Sequence, residues 1–132
     1  VRTLPHQDEA YVRGELDKIL DGIDGVTIDI DYMSIPNASE FETDFANRIQ
    51  ISTAHALQRD DIQWVPSLTT GFTDSRCTRN LGTVTYGMVG SHADDDPMIS
   101  CVHGTNESVG IRSLISGTRI MLALAYDLLA VK

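Results

Sequence analysis

The chain has 132 residues, of which 42% are hydrophobic and 22% charged, and its formal net charge is -9 at pH 7. This length suits one modest domain, and the composition is that of an ordinary globular protein rather than a disordered one. The negative charge argues against nucleic acid as a partner, because phosphate backbones would be repelled. No apolar run is long enough to cross a bilayer, so we expect no membrane insertion.

Residues 1–33 have the pattern of a strand, a helix and a second strand. The opening strand, 1–4, is stopped by Pro5. Apolar residues then recur at helical spacing from Val12 to Ile23, and Gly22 is suited to end that helix. Residues 26–31 alternate apolar and polar side chains, which is the period of a strand with one face in solvent.

Residues 35–37, Ile-Pro-Asn, interrupt this pattern, and we expect a domain boundary between residues 35 and 36. A second helix is predicted to begin near Ser39, which has capping-box spacing to Glu42, and to continue to about Arg59.

The rest of the chain is predicted to alternate short strands with helices. Strands are expected at 63–67 and 83–89, with a short helix at 74–80 between them. A polar loop over 90–100 follows, and a continuous apolar stripe over 114–129 predicts a final helix that is mostly buried. The whole pattern predicts an α/β fold in which helices pack on a short sheet.

His103 lies in a turn-rich segment, Val102-His103-Gly104-Thr105-Asn106-Glu107, just before the final helix. A loop of this kind can display an imidazole, and neutral imidazole is a common zinc ligand. The alternative is a loop histidine that hydrogen-bonds a neighbour such as Glu107, and from the residue alone this alternative is the stronger one.

Three more residues are candidates for binding an anionic group. Gly71 and Thr73 lie in a loop before a short helix, where free backbone N–H groups favour anions. A plain helix cap by Thr73 or Asp74 explains the same spacing equally well. Arg2 lies on the opening strand, and a guanidinium group matches a carboxylate in geometry. Composition alone favours an exposed arginine with no such role.

The motif His92-Ala93-Asp94 is followed by further acidic residues and by Pro97. It resembles a metal-binding H-x-D motif, but we interpret it as a solvated loop and at best a weak cation site.

The turn Gly71-Phe72-Thr73-Asp74-Ser75-Arg76, followed by the His103 loop and a long apolar helix, resembles the last third of the M20 family. These are zinc metallopeptidases and amidohydrolases that include dipeptidases, acetylornithine deacetylases and succinyl-diaminopimelate desuccinylases. Phe72 is larger than the glycine often found at its position in that family. The family's H-x-D motif lies far upstream, before an aspartate and a Glu-Glu pair, and no Glu-Glu pair exists in this chain.

The resemblance implies that residues 1–35 are the second half of an inserted ferredoxin-like dimerisation domain. Residues 36–132 would be the C-terminal part of the catalytic domain. It implies that His103 is one ligand of a two-zinc site, whereas Arg2, Gly71 and Thr73 hold the substrate's carboxylate. The other ligands and the catalytic glutamate would lie in a missing N-terminal part, so no catalytic residue is expected in this fragment.

The parent enzyme implied by the resemblance is a homodimer that hydrolyses dipeptides or N-acyl amino acids, and the fragment alone is expected to be inactive. The two cysteines, Cys77 and Cys101, are too few for a disulfide framework and favour reduced thiols and a cytoplasmic location. The alternative from another class is a non-catalytic interaction module derived from that fold.

Overall fold

The computed structural model describes residues 1–69, 71, 73–88, 90–95 and 100–130. In this part the chain forms four helices, α1 (Glu9–Leu20), α2 (Asp44–Leu57), α3 (Ser75–Arg79) and α4 (Ile111–Leu129). None of these helices combines the length and the apolar character that crossing a membrane would require. Predictions that fall on Phe72, Val89, Asp96 and Pro97 lie outside the described residues.

The predicted α/β fold is wrong, because the described residues contain no strand and therefore no sheet. The stretches 1–4, 26–31 and 63–67, and the described residues of 83–89, all lie outside regular secondary structure. Alternation of apolar and polar residues fixes which side of an extended segment is apolar. It does not supply the second backbone, about 4.8 Å away, that a ladder of hydrogen bonds requires.

The chain divides into two compact units, each built from two stretches of sequence. Unit 1 comprises Val1–Glu40 and Ser67–Tyr86, and unit 2 comprises Phe41–Pro66 and Gly87–Lys132.

Unit 2 is built around the packing of α2 against α4, the one pair of described helices in contact. The interface is formed by buried side chains that recur at helical spacing on both helices. They are Ala46, Ile49, Ser52 and Thr53 on α2, with Ser116, Ile120 and Leu124 on α4. An ion pair also joins the two helices, with Arg48 Nη1 2.6 Å from Asp127 Oδ2. This core is small and partly polar, since three of its seven residues are serine or threonine.

The helix ends follow local capping rules, although one cap differs from the prediction. Asp8 caps α1 through its Oδ1, which accepts a hydrogen bond from the Tyr11 N–H at 2.9 Å. Helix α2 begins four residues later than its predicted capping box, and Thr43 Oγ1 accepts the Ala46 N–H at 3.1 Å. The capping box at Ser39 is therefore wrong, because Ser39 is engaged elsewhere in unit 1.

Unit 1 is held around Ser39 by hydrogen bonds rather than by a buried apolar core. Ser39 Oγ accepts from Arg79 Nε at 3.2 Å and from the Thr85 N–H at 3.0 Å. Arg79 Nη2 also donates to the Thr85 carbonyl at 2.8 Å, and the Tyr86 hydroxyl donates to the Glu40 carbonyl at 2.6 Å. These bonds hold residues 85 and 86 beside residues 39 and 40. We call Ser39, Arg79 and Thr85 the Ser39 hub.

The prediction that α4 is mostly buried is wrong. Only Ser116, Ile120 and Leu124 of this helix are buried, and they lie four residues apart on the side that contacts α2. The sequence predicted burial because α4 itself carries apolar residues on nearly all its sides. Among the described helices only α2 packs against it, and it covers one side, so the remaining large apolar side chains of α4 are exposed.

Candidate functional site

His103 lies in a closed loop that spans residues 100–108. The Ser108 N–H donates to the Ser100 carbonyl at 2.9 Å and so joins the two ends of the loop. Inside it, the Gly104 N–H donates to the Cys101 carbonyl at 2.7 Å. The side chain of His103 is exposed, so the loop displays the imidazole to solvent.

The backbone of this loop is strained at three residues that are not glycine. Cys101, His103 and Asn106 have φ values of 48°, 63° and 60°. The left-handed conformation costs about 1–2 kcal/mol for a residue with a β-carbon, although asparagine tolerates it better. Such strain is concentrated at functional sites. His6 and Gln58, elsewhere in the chain, also have positive φ values, of 76° and 52°, so the feature particular to this loop is that three such residues lie within six positions.

The described residues do not form a metal site by themselves. No group of three or more His, Cys, Asp or Glu side chains in this part of the chain is arranged to hold an ion. Zinc usually takes three or four protein ligands. Within the described residues, His103 is a single imidazole without two further ligand side chains grouped beside it.

Two of the residues predicted to bind a carboxylate lie close together in unit 1. Arg2 Nη1 is 4.0 Å from the position that a β-carbon on Gly71 would occupy. The Gly71 N–H donates to Thr69 Oγ1 at 3.2 Å, and Arg2, Gly71 and Thr73 are all exposed. The Gly71 N–H is thus already bonded within the loop, and the group of this pair that matches a carboxylate in geometry is the guanidinium of Arg2.

The alternative explanation of Thr73 and Asp74 as a helix cap has little support in the geometry. Asp74 is the residue before α3, and its side chain makes no capping hydrogen bond. The Thr73 carbonyl accepts the Arg76 N–H at 3.1 Å, which is a backbone turn. Thr73 contributes to that turn through its main chain.

The segment His92-Ala93-Asp94-Asp95 binds the start of α4, which was not anticipated from the sequence. Asp95 Oδ2 accepts both the N–H and the hydroxyl of Ser113, at 2.8 and 2.7 Å. The His92 N–H donates to Ser113 Oγ at 3.0 Å, and Arg112 forms an ion pair with Asp94. We call these contacts the Asp95 clasp. Asp94 and Asp95 thus bond to the first turn of α4.

The Asp95 clasp replaces the side-chain cap that α4 lacks. The residue before this helix is Gly110, and a β-carbon there would lie only 2.0 Å from Asp95 Oδ2. The two hydrogen bonds from Ser113, first from its hydroxyl and then from its backbone, lower the pKa of Asp95 below its ordinary value. Ser, Thr, Asp or Asn usually stands at the N-cap of a helix, and Gly110 has no side chain to cap α4. This glycine was the one sign in the sequence that another segment supplies the cap.

Comparisons of the chain with protein-family models, with curated proteins and with solved structures find no match. The resemblance to the M20 family therefore depends on the motifs around Gly71 and His103.

Proposed function

We propose that this chain is the C-terminal portion of an M20-type di-zinc hydrolase that cleaves the amide bond of dipeptides or N-acyl amino acids. The observation that carries the proposal is His103. This histidine stands in an H-x-x-N-E loop directly before the last helix, with its backbone held in the left-handed region and its imidazole exposed. His6 and Gln58 also have a left-handed backbone, so the loop motif and the exposed imidazole are what support the proposal.

Each candidate residue has a defined role in this proposal. His103 supplies one imidazole to zinc, and zinc, when bound, activates water and polarises the scissile carbonyl. Arg2 binds the carboxylate end of the substrate, and Gly71 and Thr73 line the same position. The other zinc ligands and the general base belong to an N-terminal part of the same enzyme, and the isolated chain is inactive. The exposed thiols of Cys77 and Cys101 suit a cytoplasmic enzyme.

The test is a substitution of His103 in the complete reading frame. His103→Asn removes the metal ligand but retains a residue that tolerates the left-handed backbone. We expect zinc-dependent hydrolysis of dipeptides and N-acyl amino acids to fall at least a hundredfold. The melting temperature should stay equal or rise, because strain at this position is relieved. Activity, zinc content and thermal unfolding are measured on the same preparations.

The matched control is His55→Asn, which changes an exposed histidine in the last turn of α2. This control should keep both zinc and activity. Hydrolysis that survives His103→Asn and zinc chelation would contradict the proposal. So would a complete reading frame without an H-x-D motif, a later aspartate and a Glu-Glu pair.

A non-catalytic interaction module is the second candidate, and a different observation favours it. Many large apolar side chains are exposed in both units, including Met33 in unit 1 and Leu129 in unit 2. Exposed apolar surface on this scale is typical of a protein that binds a partner. If the complete reading frame shows no hydrolysis of these substrates with zinc, cobalt or manganese, this second function becomes the better one.

A further inference from the structure

The face of α4 opposite its buried residues is apolar along the whole helix and contains no Asp, Glu, Lys or Arg. Its large side chains are between 45% and 80% exposed. They are Ile111, Leu114, Ile115, Met121, Leu122, Tyr126, Leu128 and Leu129. The small residues Thr118 and Ala125 lie among them, also exposed. We call this surface the outer face of α4.

A groove of about 540 Å³ continues the outer face on one side. Leu114, Met121 and Leu122 belong to both surfaces, and Met88 and Val109, from outside α4, also line the groove. Gly90 and Gly117 also line the groove, and their backbones are in direct contact. Such a groove is suited to apolar side chains such as leucine or methionine.

The size, shape and charge of the outer face favour a second copy of the same helix as its partner. Each partner in an interface of standard size contributes about 800 Å², and the large apolar side chains of this face, all at least 45% exposed, supply apolar area for such an interface. Two chains that each carry a charge of -9 repel one another over most surfaces. The outer face has no acidic residue, so two copies can meet there without placing carboxylates opposite each other.

We propose that two copies of this chain pair through α4, outer face against outer face. The helix is roughly 28 Å long, and its apolar residues recur at spacings of three and four. A second α4 offers the same length and the same spacing, as helix packing requires. Leucine and methionine side chains of each copy enter the groove of the other. This pairing does not depend on the proposed hydrolase activity.

Sedimentation equilibrium of the 132-residue chain tests the proposal. The measured mass should rise with concentration to twice the monomer mass of 14.5 kDa. Leu122→Glu places a charge at the centre of the outer face. The dissociation constant of the dimer should be at least a hundredfold larger for this variant than for the wild type. Leu122 is 66% exposed, so this variant should keep the helical content of the wild type by far-ultraviolet circular dichroism. Ile51→Glu changes an equally exposed residue of α2 and should pair as the wild type does.

Three results would overturn the proposal. One is a wild-type chain that stays monomeric at every concentration, and another is equal dissociation by Leu122→Glu and Ile51→Glu. The third comes from the complete reading frame. If that reading frame encodes a longer protein that does not pair through α4, and Leu122→Glu lowers its melting temperature, the outer face is covered within one chain. Hydrolysis is measured separately, so this failure is distinct from failure of the proposed function.

Discussion

The two units of this chain differ in what holds them together. Unit 2 has a pair of packed helices with buried side chains from both, and the backbones of Gly90 and Gly117 are in contact. Unit 1 has α1, a helix of 12 residues with no buried side chain, and the polar contacts of the Ser39 hub.

This difference predicts which unit unfolds locally at the lower free-energy cost. An isolated helix of 12 residues is marginal in water, because its few hydrogen bonds barely offset the cost of ordering the chain. Individual hydrogen bonds add only about 0.5–1.5 kcal/mol each. We therefore expect amides of α1 to exchange with solvent before those of the α2–α4 pair.

The largest effect is expected at the backbone contact in unit 2. In Gly90→Ala the new β-carbon would lie 2.3 Å from the backbone N and Cα of Gly117 and 2.9 Å from the Ser113 carbonyl oxygen. The clash is with backbone and cannot be relieved by rotating a side chain. The free energy of unfolding should fall by about 3 kcal/mol, as measured by urea denaturation.

Gly117→Ala is the matched control for that contact. Its β-carbon would lie 3.4 Å from Gly90 Cα, which is an ordinary contact, and alanine favours the helix by about 1 kcal/mol. This variant should equal or exceed the wild type in stability. Equal destabilisation by the two substitutions would show that the contact does not have the geometry described.

The next effect tests whether unit 1 depends on the Ser39 hub. Ser39→Ala removes the acceptor for both Arg79 Nε and the Thr85 N–H. We expect a loss of about 1–2 kcal/mol, seen as faster hydrogen exchange of the Thr85 amide while the amides of α2 are unchanged. Ser34→Ala, at an exposed serine, is the control and should leave exchange as it was. If it has the same effect, the hub is not what holds unit 1.

The smallest effect concerns the Asp95 clasp. Because the hydrogen bonds from Ser113 lower the folded pKa of Asp95 below its ordinary value of 3.8, the charged form stabilises the fold at higher pH. That stabilisation is lost as the pH falls below 3.8 and through the lower folded pKa. Asp95→Ala should lower the melting temperature by a few degrees at neutral pH, and the difference from wild type should shrink in acid.

Asp94→Ala is the control for the clasp. It removes an exposed ion pair with Arg112 but leaves the hydrogen bonds to Ser113, so its effect should be smaller. A larger effect at Asp94 than at Asp95 would mean that the ion pair, rather than the cap, stabilises the start of α4.

The sequence determined the helices because helices depend on neighbours along the chain. The spacing of apolar residues and Gly22 at the end located α1, and the stripe over 114–129 located most of α4. His103 was also found from the sequence, because its loop motif is local. The left-handed backbone at His103 was not predicted, because a residue with a β-carbon adopts it only where the surrounding structure imposes it.

Only the tertiary structure decided which segments have partners. Residues 26–31 alternate as a strand would, yet no described segment forms a β-ladder with them. Helix α4 has apolar residues on all its sides, yet among the described helices only α2 packs against it. Pairing and burial depend on residues far apart in the sequence, and a periodic pattern does not carry that information. For the same reason the Asp95 clasp could not be predicted, because it joins residues 92–95 to the first turn of α4, which lies about 18 residues later in the sequence.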